Sequence, residues 1–240
     1  MRNLEGLTIV MAGASGGIGS ATALQLARPG VNMAICSIDK PGLDSLAKSV
    51  TAKGANVIAR VVDLTDDKAV SSFMDEVYKT YKRFDILINF AGLSVTADLG
   101  ELTEKNFDLV MDVNVKGMFL GTKHFTKHVD ESEGAMIINF GSMAAKRANA
   151  KSPQYSAAKA AVLMFSQGLA EQLKSKNIRI TTMNPGPTDT TFFEGRIPKE
   201  KRTKFMQATD VAETLEFIIT RDKRIVFHDV MFESFEFYKG

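Results

Sequence analysis

The sequence predicts an α/β protein, with a doubly wound parallel sheet of about seven strands and helices on both faces. Two observations support this fold class. Short runs such as 7–12 and 135–142 are largely apolar, as expected of strands that are buried on both faces. Segments with helical composition or helical apolar spacing follow such runs, as in 41–53. This alternation is typical of parallel strands connected by right-handed helical crossovers.

The predicted elements alternate along the whole chain. The second strand (32–37) leads into the helix at 41–53, and the helix at 66–81 begins with acidic residues that suit the helix dipole. The other strands are expected at 7–12, 56–62, 85–89, 135–142, 179–183 and 224–232, and the other helices at 19–28, 103–128, 155–175 and from about 210. Because no linker divides these segments, we expect residues 1–240 to form a single domain, although the length alone would also allow two.

Composition limits the partners and the compartment. The net charge is +2 with no long basic block, so neither nucleic acid nor a membrane surface is expected as the main partner. The chain has one cysteine, Cys36, so an intramolecular disulfide is excluded. Because Cys36 lies in an apolar run, we expect it to be a small core residue. The N-terminus has no apolar signal region, and no run reaches 18 apolar residues. We therefore expect a cytoplasmic protein.

A glycine-rich turn lies between the first predicted strand and the first predicted helix, in the run Gly13-Ala-Ser-Gly-Gly-Ile-Gly19. Missing side chains let the backbone approach a pyrophosphate held at the helix N-terminus. The spacing differs from the dinucleotide fingerprint Gly-x-Gly-x-x-Gly, so a tight turn without a ligand stays open as an alternative.

Tyr155 and Lys159 are four residues apart in a run of helical composition, which places both side chains on one helix face. A nearby positive charge favours a phenolate and moves the tyrosine pKa toward the working range. Ser142 follows a predicted strand at the carboxyl edge of the sheet, where its hydroxyl can bind a substrate oxygen. A Tyr-x-x-x-Lys pair also occurs by chance in many helices, so the interpretation depends on the other motifs in the chain.

Taken together, these stretches resemble the classical branch of the short-chain dehydrogenase/reductase family, whose fold is Rossmann-like. The family's Thr-Gly-x-x-x-Gly-x-Gly matches residues 12–19, its Asn-Asn-Ala-Gly matches 89–92, and its Pro-Gly motif lies in 184–190. The serine and the tyrosine are thirteen residues apart, as in the family. Two residues depart from the pattern: Ala12 replaces a threonine, and Phe90 replaces the second asparagine, which alters packing or hydrogen bonding behind the cofactor.

The resemblance implies hydride transfer between NAD(P)(H) and a carbonyl or secondary alcohol substrate, with no metal. The implied catalytic residues are Asn114, which holds a water; Ser142, which binds the substrate oxygen; Tyr155, the general acid or base; and Lys159, which lowers the tyrosine pKa and holds the nicotinamide ribose. The implied cofactor-binding residues are Gly13, Ser15, Gly17, Ile18, Gly19, Ser37, Asp63, Leu64, Asn89, Ala91, Gly92, Tyr155, Lys159, Pro185, Thr188 and Thr190.

Some of these positions have simpler interpretations. Without the resemblance, Asn114 is a surface or kink residue, because asparagine is an indifferent helix former. Asp63 could instead cap the following helix. His124 and His128 share a metal-ligand spacing, but no further ligand cluster accompanies them, so we expect a solvent-facing pair. A nucleotide-binding protein that does not catalyse remains an alternative function, since the site and not the fold carries activity.

The end of the second strand, where the family selects its cofactor, carries a mixed signal. An acidic residue at 37 would bind ribose hydroxyls, whereas a basic residue at 38 or 16 would pair with a 2′-phosphate. The chain has Ser37, Ile38 and Gly16 there; Asp39 lies one place late for the first role, and Lys40 could serve the second. The pattern favours NADP over NAD.

Two later segments bear on the substrate and on assembly. Residues 188–207 match the family's mobile substrate lid; their basic residues either attract an anionic substrate or acyl carrier, or form an ordinary solvated loop. The C-terminal run 232–240 carries several aromatic residues, which predicts packing on a neighbouring subunit or beside the substrate pocket. By resemblance, we expect a homodimer or homotetramer.

Overall fold

A computed structural model describes residues 3–239 and shows a seven-stranded parallel sheet, which confirms the predicted fold class. The sheet contains β1 (Thr8–Ala12), β2 (Asn32–Ser37), β3 (Asn56–Val61), β4 (Ile86–Asn89), β5 (Ala135–Phe140), β6 (Ile178–Pro185) and β9 (Asp229–Phe232). The strand order is β3-β2-β1-β4-β5-β6-β9, so the chain reverses direction across the sheet between β1 and β4. Ligands of open α/β sheets bind at such a reversal, beyond the carboxyl ends of the strands.

Helices cover both faces of the sheet. They are α1 (Gly17–Leu26), α2 (Lys40–Ala52), α3 (Asp67–Tyr81), α4 (Glu104–Met111), α5 (Gly117–Thr126), α6 (Pro153–Leu173), α7 (Ala208–Ile219) and the short α8 (Phe235–Tyr238). Alternate residues of β1 enter two different cores, because side chains of a strand point to opposite faces. Ile9 packs with α1, α2 and α7, whereas Val10 packs with α3 and α5. Among residues 3–239, no helix is both long and apolar enough to cross a membrane.

Two strands are shorter than predicted by two residues or more. The strand predicted at 135–142 ends at Phe140, and Ser142 follows in extended conformation as the cap of a 3₁₀ turn. The strand predicted at 224–232 is limited to Asp229–Phe232, because only these residues pair with the end of β6. The residues before Asp229 instead contain a turn in which the Ile225 N–H donates to the Asp222 carbonyl at 2.9 Å.

The predicted helix at 103–128 is divided by a π-helical segment, Asp112–Lys116, which contains Asn114. Asn114 therefore lies at an irregularity of the helix, as expected of a kink residue, but it is buried and not at the surface. His124 does not face solvent as expected: it is buried, because α5 packs on α3, and its ring Nε2 lies 3.0 Å from Asp67 Oδ1. Asp63 does not cap α3 either, since Asp66 accepts the first backbone N–H groups of that helix and Asp63 accepts from Thr65.

Phe90 and Cys36 both serve packing. The Phe90 ring lies 4.6 Å from the Phe140 ring, centroid to centroid, so the departure from the family's second asparagine adds an aromatic contact in the cavity wall. Cys36 is fully buried in the sheet, as predicted, and burial raises the pKa of its thiol to about 12.

Candidate active site

A cavity of about 970 Å³ opens at the carboxyl edge of the sheet. Its walls come from the turn after β1, the loops after β4, β5 and β6, the start of α6 and the chain's C-terminal end. The structure brings together eleven of the predicted site residues along this cavity: Gly13, Gly17, Ile18, Gly19, Gly92, Ser142, Tyr155, Lys159, Pro185, Thr188 and Thr190.

The glycine turn is too crowded for side chains at three positions. Gly13 has a φ of +84°, and a Cβ there would lie 2.7 Å from the Ala91 backbone nitrogen. A Cβ on Gly17 would lie 2.6 Å from the Thr190 side chain, and one on Gly19 would meet the Ala14 carbonyl oxygen at 2.7 Å. No side chain caps the N-terminus of α1, so its first N–H groups are available to an anion.

Lys159 is buried beside Tyr155. Its ammonium Nζ lies 5.7 Å from the centroid of the Tyr155 ring and donates a hydrogen bond to the Phe140 carbonyl oxygen at 2.8 Å. The side chain is 3% exposed, and burial lowers the pKa of Lys159 to about 7, because an ammonium is poorly solvated there.

Tyr155 differs from the sequence-based expectation in its pKa. Its ring is half-buried against the cavity, and desolvation raises its pKa to about 12. The hydrogen bond with Ser142 and the charge of Arg196 oppose this rise. Lys159 Nζ is directed to the Phe140 carbonyl oxygen, and burial disfavours its charged form.

Asn114 lies behind Gly92, beside the cavity and not on its surface. Its amide Nδ2 donates to the Leu93 and Val110 carbonyl oxygens, each at 2.8 Å, while its Oδ1 is buried without a hydrogen-bond partner among the described residues. A Cβ on Gly92 would lie 2.8 Å from that Oδ1 and 3.1 Å from Lys159 Nζ. The asparagine carbonyl and the lysine ammonium thus face the same point, which requires glycine.

The loop that carries Ser142 is held by a polar chain that sequence analysis missed. The Ser142 backbone N–H donates to Asn184 Oδ1 at 2.9 Å, and Asn184 Nδ2 donates to Asp229 Oδ1 at 2.5 Å. The other oxygen of Asp229 forms an ion pair with Lys146, four residues after the serine. Asn184 is fully buried, and its Oδ1 occupies the space that a Cβ on Gly141 would need. The one feature of the sequence that could have indicated this polar chain is the position of Asn184 directly before the Pro-Gly motif.

The residues at the end of the second strand, where the family selects its cofactor, lie outside the cavity. Ser37 at the end of β2 shares a 2.6 Å hydrogen bond with Ser15. Asp39 caps α2 by accepting from the Gly42 N–H, and Lys40 forms an ion pair with Asp44 one helical turn later. The Ser37 and Ser15 hydroxyls are thus adjacent, whereas both charged neighbours of Ser37 have local partners.

Four other predicted cofactor residues lie off the cavity surface: Asp63, Leu64, Asn89 and Ala91. Asn89 belongs to a buried amide row, where its Nδ2 donates to Asn139 Oδ1 at 2.8 Å and to Thr122 Oγ1 at 3.3 Å. These bonds connect β4 with β5 and α5, so the Asn89 side chain supports the sheet behind the site. Asp63 accepts hydrogen bonds from Thr65, which lower its pKa.

The predicted lid forms a loop whose two ends are joined. Its first residues, β7 (Thr188–Asp189), pair in parallel with β8 (Met206–Gln207). Arg202 is buried and bonds to Asp189 at 2.7 Å, so this basic residue fastens the lid and does not face solvent. Arg196 stacks on Phe192 with its guanidinium carbon 4.3 Å from the ring centroid, while the lysines at 199, 201 and 204 are exposed.

Comparison with known proteins places the chain among oxidoreductases. A family model described as short chain dehydrogenase matches residues 7–201. A 3-oxoacyl-[acyl-carrier-protein] reductase of Thermotoga maritima is 29% identical over 231 residues, which cover 93% of this chain and 94% of that protein. A (2S)-[(R)-hydroxy(phenyl)methyl]succinyl-CoA dehydrogenase subunit of Thauera aromatica is 28% identical and covers 95% of each chain. A short chain dehydrogenase of Burkholderia cenocepacia, solved in complex with NADP, superposes with a TM-score of 0.88 at 28% identity, over 98% of this chain and 99% of its own.

Proposed function

Since this chain belongs to the short-chain dehydrogenase/reductase family, we propose that it transfers a hydride between a nicotinamide cofactor and the carbon of a carbonyl or secondary alcohol. The observation that carries this proposal is the convergence of Ser142, Tyr155 and Lys159 on one cavity with the glycine turn. No feature of the described residues favours the alternative of a binding protein without catalysis, because the four predicted catalytic side chains are all present around this cavity.

The residues around the cavity fit a nicotinamide dinucleotide. The uncapped N-terminus of α1 offers N–H groups to a pyrophosphate, and the crowding at Gly13 and Gly17 leaves a bare backbone surface for it. Lys159 can reach a ribose hydroxyl from its buried position below Gly92. When bound, the cofactor supplies or accepts the hydride.

In this proposal the chain's own residues handle the proton. The Tyr155 hydroxyl donates a proton to the substrate oxygen during reduction and accepts it back during oxidation, and Ser142 holds the same oxygen by a hydrogen bond. Lys159, with a pKa of about 7, can gain or lose a proton near neutral pH, and Asn114 directs its unpaired Oδ1 toward it. These two residues form the proposed route by which Tyr155 exchanges protons with solvent.

We propose NADP as the preferred cofactor. Ser37 places a neutral hydroxyl where a carboxylate would repel a 2′-phosphate, and the Asp39 carboxylate is engaged as the cap of α2. Similar solved structures contain either NADP or NAD+, so the preference rests on Ser37 and Asp39. Titration of the purified protein with NADH and NADPH, followed by nicotinamide fluorescence, tests it: tighter binding of NADH would contradict the assignment.

The catalytic proposal is tested by Tyr155→Phe. This variant should lose about 10²- to 10⁴-fold in kcat, because it removes the positioned acid, while its affinity for NADPH stays close to that of the wild type. Tyr238→Phe serves as the control, since Tyr238 is 68% exposed on the C-terminal helix. Turnover by Tyr155→Phe at the wild-type rate would refute the assignment of the acid.

We further propose a cytoplasmic homo-oligomer. Large apolar side chains on α5 and α6, the helices next to the site, remain exposed: Phe119 is 40% exposed, Met164 63% and Phe165 39%. Such a surface favours contact with a second copy. Sedimentation equilibrium should show a dimer or tetramer, and Met164→Lys with Phe165→Glu should lower the mass; a monomeric wild type would contradict the proposal.

A further inference from the structure

One wall of the cavity contains a continuous row of aromatic rings that begins at Tyr155. The ring centroids of Tyr155 and Phe192 are 5.7 Å apart, those of Phe192 and Phe193 5.2 Å, and those of Phe193 and Phe205 5.1 Å. The fifth ring is Phe237, whose centroid lies 5.7 Å from that of Phe205. The row therefore joins the proposed catalytic tyrosine, three residues of the lid and the C-terminal helix.

Phe237 is the member of this row whose position in the cavity wall could not be predicted from the neighbouring sequence. It lines the cavity, whereas the other two aromatic residues of α8 point away, with Phe235 70% exposed and Tyr238 68% exposed. One turn of helix thus presents a single ring to the cavity. This arrangement corresponds to the expectation that the aromatic tail lies beside the substrate pocket.

The tail is anchored to the catalytic loop. Glu233 accepts two hydrogen bonds from Arg147 Nη2, at 2.6 and 2.7 Å, and its side chain is only 10% exposed. The Phe232 carbonyl accepts from the Gly186 N–H at 2.8 Å, next to the Pro-Gly motif. Arg147 and Gly186 both line the cavity, so these contacts hold the start of the tail beside the loop that carries Ser142.

From this geometry we infer that the substrate is an apolar, ring-bearing carbonyl compound or the corresponding alcohol, and that Phe237 is a residue that determines specificity for the ring. The inference rests on the proposed function. Its physical basis is that stacked or edge-to-face contact between aromatic rings adds to the burial of apolar surface, and a small aliphatic ketone has no ring with which to make these contacts.

The test compares two ketones that differ by one phenyl group, 2-butanone and 4-phenyl-2-butanone, with the preferred cofactor at saturation. The wild type should show a kcat/KM for the phenyl ketone at least about tenfold higher. Phe237→Ala should lower kcat/KM for the phenyl ketone about tenfold, mainly through KM, and change that for 2-butanone less than twofold. Phe237→Leu should be intermediate, and it replaces the alanine variant if that variant does not fold.

Phe235→Ala is the matched control, because it removes an equal ring from the same helix on its outer side; both ketones should react as with the wild type. Equal effects of Phe237→Ala on both ketones, no effect on either, or turnover of 2-butanone without turnover of the phenyl ketone would overturn the inference. Failure of the proposed function is distinguishable, because the wild type would then not bind the cofactor or would turn over no ketone at a rate that depends on Tyr155.

Discussion

At Tyr155 and Lys159, burial acts on two neighbouring groups in opposite directions. It raises the pKa of the tyrosine to about 12 and lowers that of the lysine to about 7, because in each case the charged form is the one that loses solvation. Both side chains are consequently most stable as neutral groups at mildly alkaline pH. The sequence predicted that the two residues lie side by side. It did not predict the direction of the two pKa shifts, because spacing along a helix carries no information on burial.

Gly17 and Gly16 are adjacent, yet they should differ in their tolerance of alanine. A Cβ at Gly17 would lie 2.6 Å from Thr190, whereas a Cβ at Gly16 has its nearest neighbour at 3.7 Å and a φ of −65°. We expect Gly17→Ala to displace the start of the lid and to weaken NADPH binding about tenfold or more, and Gly16→Ala to change it less than threefold. Fluorescence titration of both variants measures this, and equal affinities would contradict the crowding argument.

At the scale of elements, residues from three strands or their ends fix the position of the Ser142 backbone N–H. Ser142 follows β5, Asn184 belongs to β6 and Asp229 to β9, so the chain of hydrogen bonds crosses the last three strands of the sheet. Parallel strands end at the same edge, which is why residues far apart in sequence meet there. The three strands were predicted correctly as elements. The last strand, β9, is shorter than predicted and has only four residues, because only those pair with β6.

Asp229 should influence catalysis through Asn184 without touching the substrate. Asp229→Leu removes the acceptor and leaves the buried Asn184 amide unpaired, which we expect to shift the serine loop and to lower kcat about 10- to 100-fold, with the affinity for NADPH unchanged. Asp229→Asn keeps an acceptor and loses only the ion pair with Lys146, so its effect on kcat should be less than about threefold.

Asp222→Asn is the control for this pair, because Asp222 lies in the turn before β9 and bonds to Arg224 at the surface. It should leave kcat unchanged. If Asp229→Leu and Asp229→Asn lower kcat equally, charge and not the hydrogen-bonded chain is responsible. If neither lowers kcat, Asn184 holds the serine loop without Asp229.

For the whole molecule, Lys159 predicts a pH-dependent stability. Its pKa is about 7 in the folded protein and 10.5 as an ordinary lysine, so between these values the unfolded chain binds one proton more than the native state. The free energy of unfolding should therefore rise with pH in this window, by up to about 1.4 kcal/mol per pH unit, relative to a variant without the amine. Below pH 7 both states are protonated, and the cost of the buried charge is constant.

Lys159→Met provides the comparison. Urea unfolding of both proteins at pH 6.5, 8 and 9, at one protein concentration, should show the methionine variant relatively more stable at pH 6.5 and the wild type gaining on it toward pH 9. Parallel stability curves across this range would show that Lys159 titrates normally.

The strands, the glycine turn, the Tyr155–Lys159 pair and the family were all predictable from short stretches of the chain, because each depends on composition or spacing within about one element. The chain of hydrogen bonds from Ser142 through Asn184 and Asp229 to Lys146 was not predictable. The aromatic tail was expected on a neighbouring subunit or beside the substrate pocket, but its sequence did not show that Phe237 is the ring in the cavity wall. The contacts of the hydrogen-bonded chain join residues 42, 45 and 83 positions apart, and they exist because the strand order brings β5, β6 and β9 to one edge. Burial and long-range contact are properties of the packed sheet, and no local pattern encodes them.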